Sequence, residues 1–343
     1  MAYHFYSTAS DDKYYSFGQK WDNFFHLGFL GVHFFFIISG FVISYTLTKT
    51  KSLKEFVIKR IIRLLPTMIL CSIITFSLVS IIDTSNLFPA AKKIKNLLFS
   101  WSFLNPGLIN LLYHKSSNFE YLDGSYWSLW VEIQFYVLSS LLFFFNRKTF
   151  TRNFTSTALV IYTLHRLIQN INTSNIFHLK NKSIFVIYEK IFYSGFNLPE
   201  FILLFTIGVL FFDLYNDKRD LKSMGYLILA SCLQFIFLNK LQFRIAFLLM
   251  LFLFFLFIYF PNVLNTLTWN PISKVGLASY ALYLVHAEIG ISLVYKYSYC
   301  LGRFNFLYPI IISLLLSAFA WLFYQFIEKP LGRKLSFLSN GAV

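Results

Sequence analysis

The chain has 343 residues, of which 57% are apolar and 21% are Phe, Tyr or Trp, while only 13% are charged. Its mean hydropathy is +0.60, and because soluble domains carry roughly 25% charged residues, this composition excludes an ordinary water-soluble enzyme. The formal charge of +15 sits in short segments between apolar runs, the placement that orients a membrane protein, so no nucleic-acid partner is expected.

A helix needs about 20 apolar residues, rising 1.5 Å each, to cross roughly 30 Å of hydrocarbon. In chain order, candidate spans run over Phe25–Leu47, Ile61–Ile82, Trp127–Phe145, Phe154–Asn170, Pro199–Tyr215, Gly225–Leu238, Phe243–Phe260, Leu277–Tyr297 and Phe304–Ile327. His165 and Arg166 weaken the fourth, and the sixth is short. No apolar core long enough for a signal peptide occurs in the first 25 residues, and Ser7 to Asn23 reads as a loop. Leu97 to Tyr113, interrupted by Asn105, Pro106 and Gly107, reads as interfacial or re-entrant. Cys71 and Cys232 lie in apolar runs and Cys300 in a loop, so the three cysteines read as structural. The predicted class is all-α, a polytopic membrane helical bundle forming a single domain over residues 1–343, with residues 1–24 as an external N-terminal segment and no soluble domain.

Positive charges test the count, because loops on one side of a membrane should be basic. Lys49, Lys51, Lys54, Lys59, Arg60 and Arg63, then Arg147, Lys148 and Arg152, then Lys218, Arg219 and Lys222, then Lys274, then Lys329, Arg333 and Lys334 all fall on one side, predicted to be cytoplasmic together with the C-terminus. Lys180, Lys182 and Lys190 are the exception. Nine spans with a cytoplasmic C-terminus put the N-terminus outside with no span to deliver it, so a further helix is expected upstream of Met1.

Five clusters carry polar groups at membrane depth, where they are costly. GVHFFFIISGF (Gly31–Phe41) holds His33, Ser39 and Gly40; by itself it reads as a lipid-facing phenylalanine ridge with a small-residue packing notch. In FVIKRIIRLLP (Phe56–Pro66), Lys59, Arg60 and Arg63 share a helix face, either as a lipid-headgroup anchor or as a site for a phosphorylated donor such as coenzyme A. SYWSLWVEIQFYV (Ser125–Val137) sets Ser128 and Glu132 four residues apart, so Glu132 either pairs with an arginine of another helix or belongs to the site. SYALYLVHAEIG (Ser279–Gly290) places Ser279, Tyr283 and His286 on one helical stripe, suited to a cavity lining, and leaves Glu288 unexplained. In FIEKPLGRK, Glu328 precedes Lys329 and Pro330, which helix termination with snorkelling charges explains without function.

In this order, GVHFFFIISGF, FVIKRIIRLLP, WSLWVEIQFY, LPEFILLFTIG, SYALYLVH and FIEKPL resemble the membrane-bound acyltransferase-3 family, which includes O-antigen and exopolysaccharide O-acetyltransferases. The resemblance covers residues 31 to 331. It implies ten membrane helices and transfer of an acyl group, acetyl in the commonest case, from acyl-coenzyme A on the cytoplasmic side of a bacterial inner membrane to a hydroxyl of a surface polysaccharide or lipid-linked glycan. Donor and acceptor are then substrates, membrane lipid is the solvent, and no bound cofactor or metal is expected. The family's first helix carries a histidine followed by an aromatic residue, a pattern that Tyr3-His4-Phe5 resembles, with an arginine about ten residues earlier that has no counterpart here. By resemblance His4 is the base and Glu328 a second catalytic residue; Lys59, Arg60 and Arg63 bind the donor; and His33, Ser39, Gly40, Ser128, Glu132, Tyr283 and His286 support the site or line its cavity. A base, cations for the donor phosphates and donors for the oxyanion are what acyl transfer to a hydroxyl requires.

Three other readings compete. A truncated, inactive relative would share the fold, and a polysaccharide transporter or polymerase would share the spans. Transporters are commonly built from repeats with matching broken helices in two halves, and no such repeat is evident, while a scaffold of this fold would have no need of Arg60, Glu132 and Glu328.

Overall fold

The computed structural model describes residues 1–7, 25–113, 118–174, 188, 191–192 and 195–340. Among the described residues every regular element is helical. After a short π turn, Tyr3–Ser7, and a 3-10 turn, His26–Leu30, come α1 (Gly31–Thr48), α2 (Leu53–Ile82), α3 (Ile94–Ser100), α4 (Pro106–Leu112), α5 (Trp127–Phe145), α6 (Phe150–Ser174) and α7 (Leu198–Asn216). The second half holds α8 (Leu221–Ile236), α9 (Leu241–Tyr259), α10 (Asn270–Leu277), α11 (Ser279–Val285), α12 (Glu288–Tyr297), α13 (Tyr308–Phe323) and α14 (Lys329–Asn340). Among the described residues, six stretches are long and apolar enough to cross a membrane: His26–Thr48, Leu53–Ile82, Gly124–Phe145, Leu198–Asn216, Leu241–Tyr259 and Phe304–Phe337. The chain is an all-α polytopic bundle.

Three expected spans take other forms. The fourth is the 25-residue α6, whose ionic groups are partnered: His165 Nε2 and Arg166 Nη2 lie 2.9 and 3.0 Å from the Glu200 carboxylate on α7. The sixth, α8, has 16 residues, its amino end capped by Asp220, which accepts from the Lys222 and Ser223 N–H groups. The eighth is broken: α11 ends at Val285 and α12 begins at Glu288. As the interruptions imply, Leu97–Tyr113 does not span; α3 and α4 flank a turn whose Trp101 Nε1 donates to Ser72 Oγ at 2.9 Å. The loop expected between Ser7 and Asn23, and Lys180, Lys182 and Lys190, lie outside the described residues apart from Ser7 itself.

α2 starts at Leu53, ahead of the expected Ile61, capped by Ser52 with Glu55 in its first turn, so Lys54 lies on the same helix as Lys59, Arg60 and Arg63. At the other end of the chain, Glu328 does not terminate its helix. It closes a π turn, Tyr324–Glu328, and the chain continues through Pro330 into α14.

Packing divides the bundle into two groups. Helix α7 is the centre of the first, with α1, α5, α6, α8 and α9 around it; 78% of its span is buried, against 17% for α9. The closest approach is between α1 and α7 at Gly40 and Gly208, where a Cβ on either residue would stand 2.1 or 2.0 Å from the facing backbone carbonyl oxygen of Phe205 or Ile37. Only glycine lets two helices meet this closely, as small residues do generally in membranes. The second group joins α2, α11, α12, α13 and the amino-terminal turn. Outward-facing Leu248, Leu249 and Phe252 of α9 are more than half exposed, which suits a lipid solvent and not water. The basic loops meet at one end, where Arg147 donates to the Lys51 carbonyl and Thr48, Arg147 and Lys222 border one cleft.

Candidate functional site

A cavity of about 610 Å³ lies between the two groups. α1 contributes His33 and Phe35, α5 contributes Trp127, Glu132 and Tyr136, and α7 contributes Phe201; from the second group come Arg63 and Leu64, then Ser279, Tyr280, Tyr283 and His286, with Tyr3 and His4 from the amino-terminal turn. Phe5 anchors that turn. Its ring is fully buried over Gly290 of α12, where a Cβ would meet it at 2.3 Å.

On the side nearer the basic loops, Glu132 organises the wall. Ser39 Oγ donates to its Oε1 at 3.0 Å and the Tyr136 hydroxyl donates to the same oxygen at 2.5 Å. Arg63 lines the cavity and interacts electrostatically with both Glu132 and Glu328. Arg60 lies behind Tyr136, its guanidinium 5.6 Å from the Phe56 ring centre and 5.8 Å from that of Tyr136, and Nη2 is 3.5 Å from Thr46 Oγ1. Its buried Nε, like Glu328 Oε2, has no hydrogen-bond partner among the described residues. An arginine fork held this way by rings, the Tyr136 hydroxyl and one long hydrogen bond to Thr46 keeps donors for another acceptor.

At the other end two imidazoles face each other, His4 and His286, with ring centres 5.0 Å apart at a steep interplanar angle. His286 follows the last residue of α11, and its Nδ1 is 2.8 Å from the Tyr283 carbonyl oxygen. The break between α11 and α12 exposes further backbone groups, and several find partners. The Tyr126 hydroxyl donates to the Leu284 carbonyl at 3.0 Å. The Glu288 N–H donates to Asp123 Oδ2 at 3.1 Å, and Glu288 Oε1 accepts from the Gly124 N–H at 2.7 Å. Asp123 also accepts from the Ser125 N–H and hydroxyl at 2.8 and 2.6 Å. Burial pushes the Asp123 carboxyl up to about 6 in spite of these hydrogen bonds. One tyrosine closes the wall: Tyr283 donates to the Ser125 carbonyl, and therefore accepts from Ser128 Oγ at 2.7 Å.

Of the residues singled out in the sequence, the structure brings His4, His33, Arg63, Glu132, Tyr283 and His286 to one cavity. Ser39 and Ser128 stand one bond behind it, on Glu132 and Tyr283. Gly40 belongs to the α1–α7 crossing. Lys59 is turned outward, its Nζ 2.6 Å from Glu55, and Glu328 stands behind Arg63 and off the cavity wall. Asp123 went unread, and Glu288 unexplained, because their partnership spans 165 residues; the only local trace is Asp-Gly-Ser, a sequence suited to a side-chain-capped turn.

Comparison with known proteins agrees with this arrangement. Residues 1–325 match the acyltransferase-3 family, described as an acyltransferase domain. A protein of Staphylococcus aureus (strain COL), provisionally named an O-acetyltransferase, is 28% identical over 342 residues, covering 88% of this chain and 52% of the relative. O-acetyltransferase OatA of Staphylococcus aureus (strain NCTC 8325 / PS 47) is 27% identical over 354 residues, covering 90% of this chain and 53% of the relative. The chain thus spans about half the length of the curated relatives it matches, and no solved structure matches it. With the family match covering nearly its whole length and a polar cavity enclosed by the motif residues, this chain belongs to the acyltransferase-3 family of membrane acyltransferases.

Proposed function

We propose that the protein transfers an acyl group, acetyl by analogy with its relatives, from acyl-coenzyme A approaching from the cytoplasm to a hydroxyl of a surface polysaccharide or lipid-linked glycan across a bacterial cytoplasmic membrane. The observation that carries this reading is a single cavity with a guanidinium on one wall and paired imidazoles on another. Arg63, and Arg60 behind it, attract the donor's phosphates and the oxygen on which charge develops as the thioester carbonyl is attacked. His4 removes the proton of the acceptor hydroxyl. The new bond forms between that oxygen and the acyl carbon, the carbon–sulfur bond breaks, and the coenzyme A thiolate leaves. Glu132, held by Ser39 and Tyr136, keeps Arg63 oriented without entering the reaction. The basic loops at one end support a cytoplasmic C-terminus by the positive-inside rule.

The test is deletion of the gene followed by mass spectrometry of the surface glycans. An acetyl-bearing species is expected to disappear, to return with the wild-type gene, and to stay absent with Arg63→Ala expressed at equal level. Full restoration by Arg63→Ala would remove that residue from the donor site.

A further inference from the structure

We propose that His286 is a second proton-accepting residue of this site, receiving the proton that His4 takes from the acceptor, and that Asp123 and Glu288 are positioning residues that aim it. The inference deepens the acyl-transfer reading and rests on it.

A carbonyl oxygen only accepts, so at 2.8 Å from Tyr283 O the Nδ1 of His286 carries the hydrogen. In the neutral ring this leaves Nε2 with the open lone pair, and the ring lies on the cavity wall facing His4. A base fixed in one tautomer by a third group is the arrangement that proton transfer in acyl chemistry uses repeatedly. His4, by contrast, has no hydrogen bond fixing its tautomer among the described residues, which suits a ring that must pass a proton on.

What places His286 there is the break in its helix. Neither Gly nor Pro occurs between Ser279 and Ala287, so the interruption is imposed from elsewhere in the fold. Asp123, fully buried, caps α12 from a position far away in the chain, and Glu288 reciprocates on Gly124. A Ser or Asn at the start of α12 would cap it without burying two carboxylates together. The clamp instead ties the start of α5, which carries Ser128 and Glu132, to the residues flanking His286.

The bland alternative is a histidine that merely caps a helix end. Such a cap needs neither a cavity beside its free nitrogen nor a second imidazole opposite. In the proposed step the hydroxyl O–H bond breaks and its proton passes to His4, while the oxygen's electron pair bonds to the acyl carbon. His4 then releases a proton to His286 Nε2, forming an imidazolium whose Nδ1–H remains on Tyr283. The imidazolium discharges to water at the cavity mouth, and the departing thiolate takes a proton from the cytoplasmic side.

The experiment uses the full chain in liposomes, with acetyl-coenzyme A and isolated surface glycan. His286→Asn keeps an N–H for the Tyr283 carbonyl but has no base; it is expected to lower kcat about 100-fold with KM for the donor within about twofold. Glu288→Ala is expected to lower kcat about 10-fold, and Glu288→Gln, which still accepts from Gly124, to recover most of that loss. In parallel, diethyl pyrocarbonate modification is mapped by mass spectrometry, because it reports the unprotonated ring nitrogen open to the cavity without needing turnover. Modification of His286 is expected in the wild type and to change several-fold in Glu288→Ala. Retention of kcat by His286→Asn within about threefold would overturn the proton-accepting role. An unchanged modification rate in Glu288→Ala overturns the clamp. If the wild type transfers nothing from acyl-coenzyme A, the acyl-transfer reading fails, and the modification arm still decides whether Glu288 aims the ring.

Discussion

Buried carboxylates in this protein work in two different ways. Glu132 is stabilised as an acceptor, by the hydroxyls of Ser39 and Tyr136 and by nearby Arg60 and Arg63. Removing one partner of such a group leaves the others buried and unsatisfied, at a cost of roughly 3–5 kcal/mol. Glu132→Ala is therefore expected to lower the melting temperature and to abolish transfer, whereas Glu132→Gln, which still accepts from Ser39 or Tyr136, should melt closer to the wild type; thermal unfolding in detergent separates the two. Asp123 and Glu288 instead share a site with no cation at hydrogen-bonding distance among the described residues. Because burial raises Asp123 to about 6, the folded protein keeps a proton there that the unfolded chain releases. Stability from this site is greatest below the ordinary carboxylate range and declines as pH rises through about 6. Glu288→Gln removes one of the two coupled carboxyls, so its melting temperature should fall less steeply than the wild type's between about pH 4 and 8. A pH-independent difference between the two proteins would refute this. Asp83, outside the spans, behaves oppositely. Burial alone would raise it, but the Leu87 and Phe88 N–H groups and Lys92 hold it below the usual range, so its contribution is present at neutral pH and lost in acid.

At the scale of elements, the crossing of α1 and α7 is the tightest constraint. A methyl group at Gly208 would sit 2.0 Å from a backbone oxygen, which no rotamer change relieves. Gly208→Ala is thus expected to cost at least about 3 kcal/mol, the upper end of ordinary overpacking, seen as loss of the monodisperse peak in fluorescence-detected size exclusion. Gly225 in α8 has open space around its Cβ position, so Gly225→Ala should be neutral or stabilise by up to about 1 kcal/mol. Equal behaviour of the two variants would contradict the packing described. The same helices show what local pattern reveals. Gly40 within FFFIISGF reads correctly as a packing notch, and Asn105-Pro106-Gly107 as an interruption, because each effect arises from residues adjacent in the chain. The break at His286 is invisible in SYALYLVHAEIG, since an apolar, glycine-free run favours continuous helix and the groups that overrule it come from Asp123 and Tyr126.

For the whole molecule, the basic loops predict topology. In a background lacking Cys71, Cys232 and Cys300, Lys222→Cys should react with a membrane-impermeant maleimide only from the cytoplasmic side and Lys93→Cys only from outside, as read in right-side-out and inverted vesicles; labelling of both from one side would reverse or break the proposed orientation. Composition and hydrophobic run length by themselves determined the class of this protein and its all-helical architecture, because a bilayer imposes length and polarity rules on every span independently of its neighbours. Motif order determined the family in the same way. Tertiary structure alone decided which polar residues meet. It separated Arg63, on the cavity wall, from Lys59, turned out to Glu55 four positions along the same helix, and it joined Asp123 to Glu288 and His4 to His286. Such pairings depend on how helices rotate and cross, and that is set by the sum of packing against several partners, not by anything one segment carries.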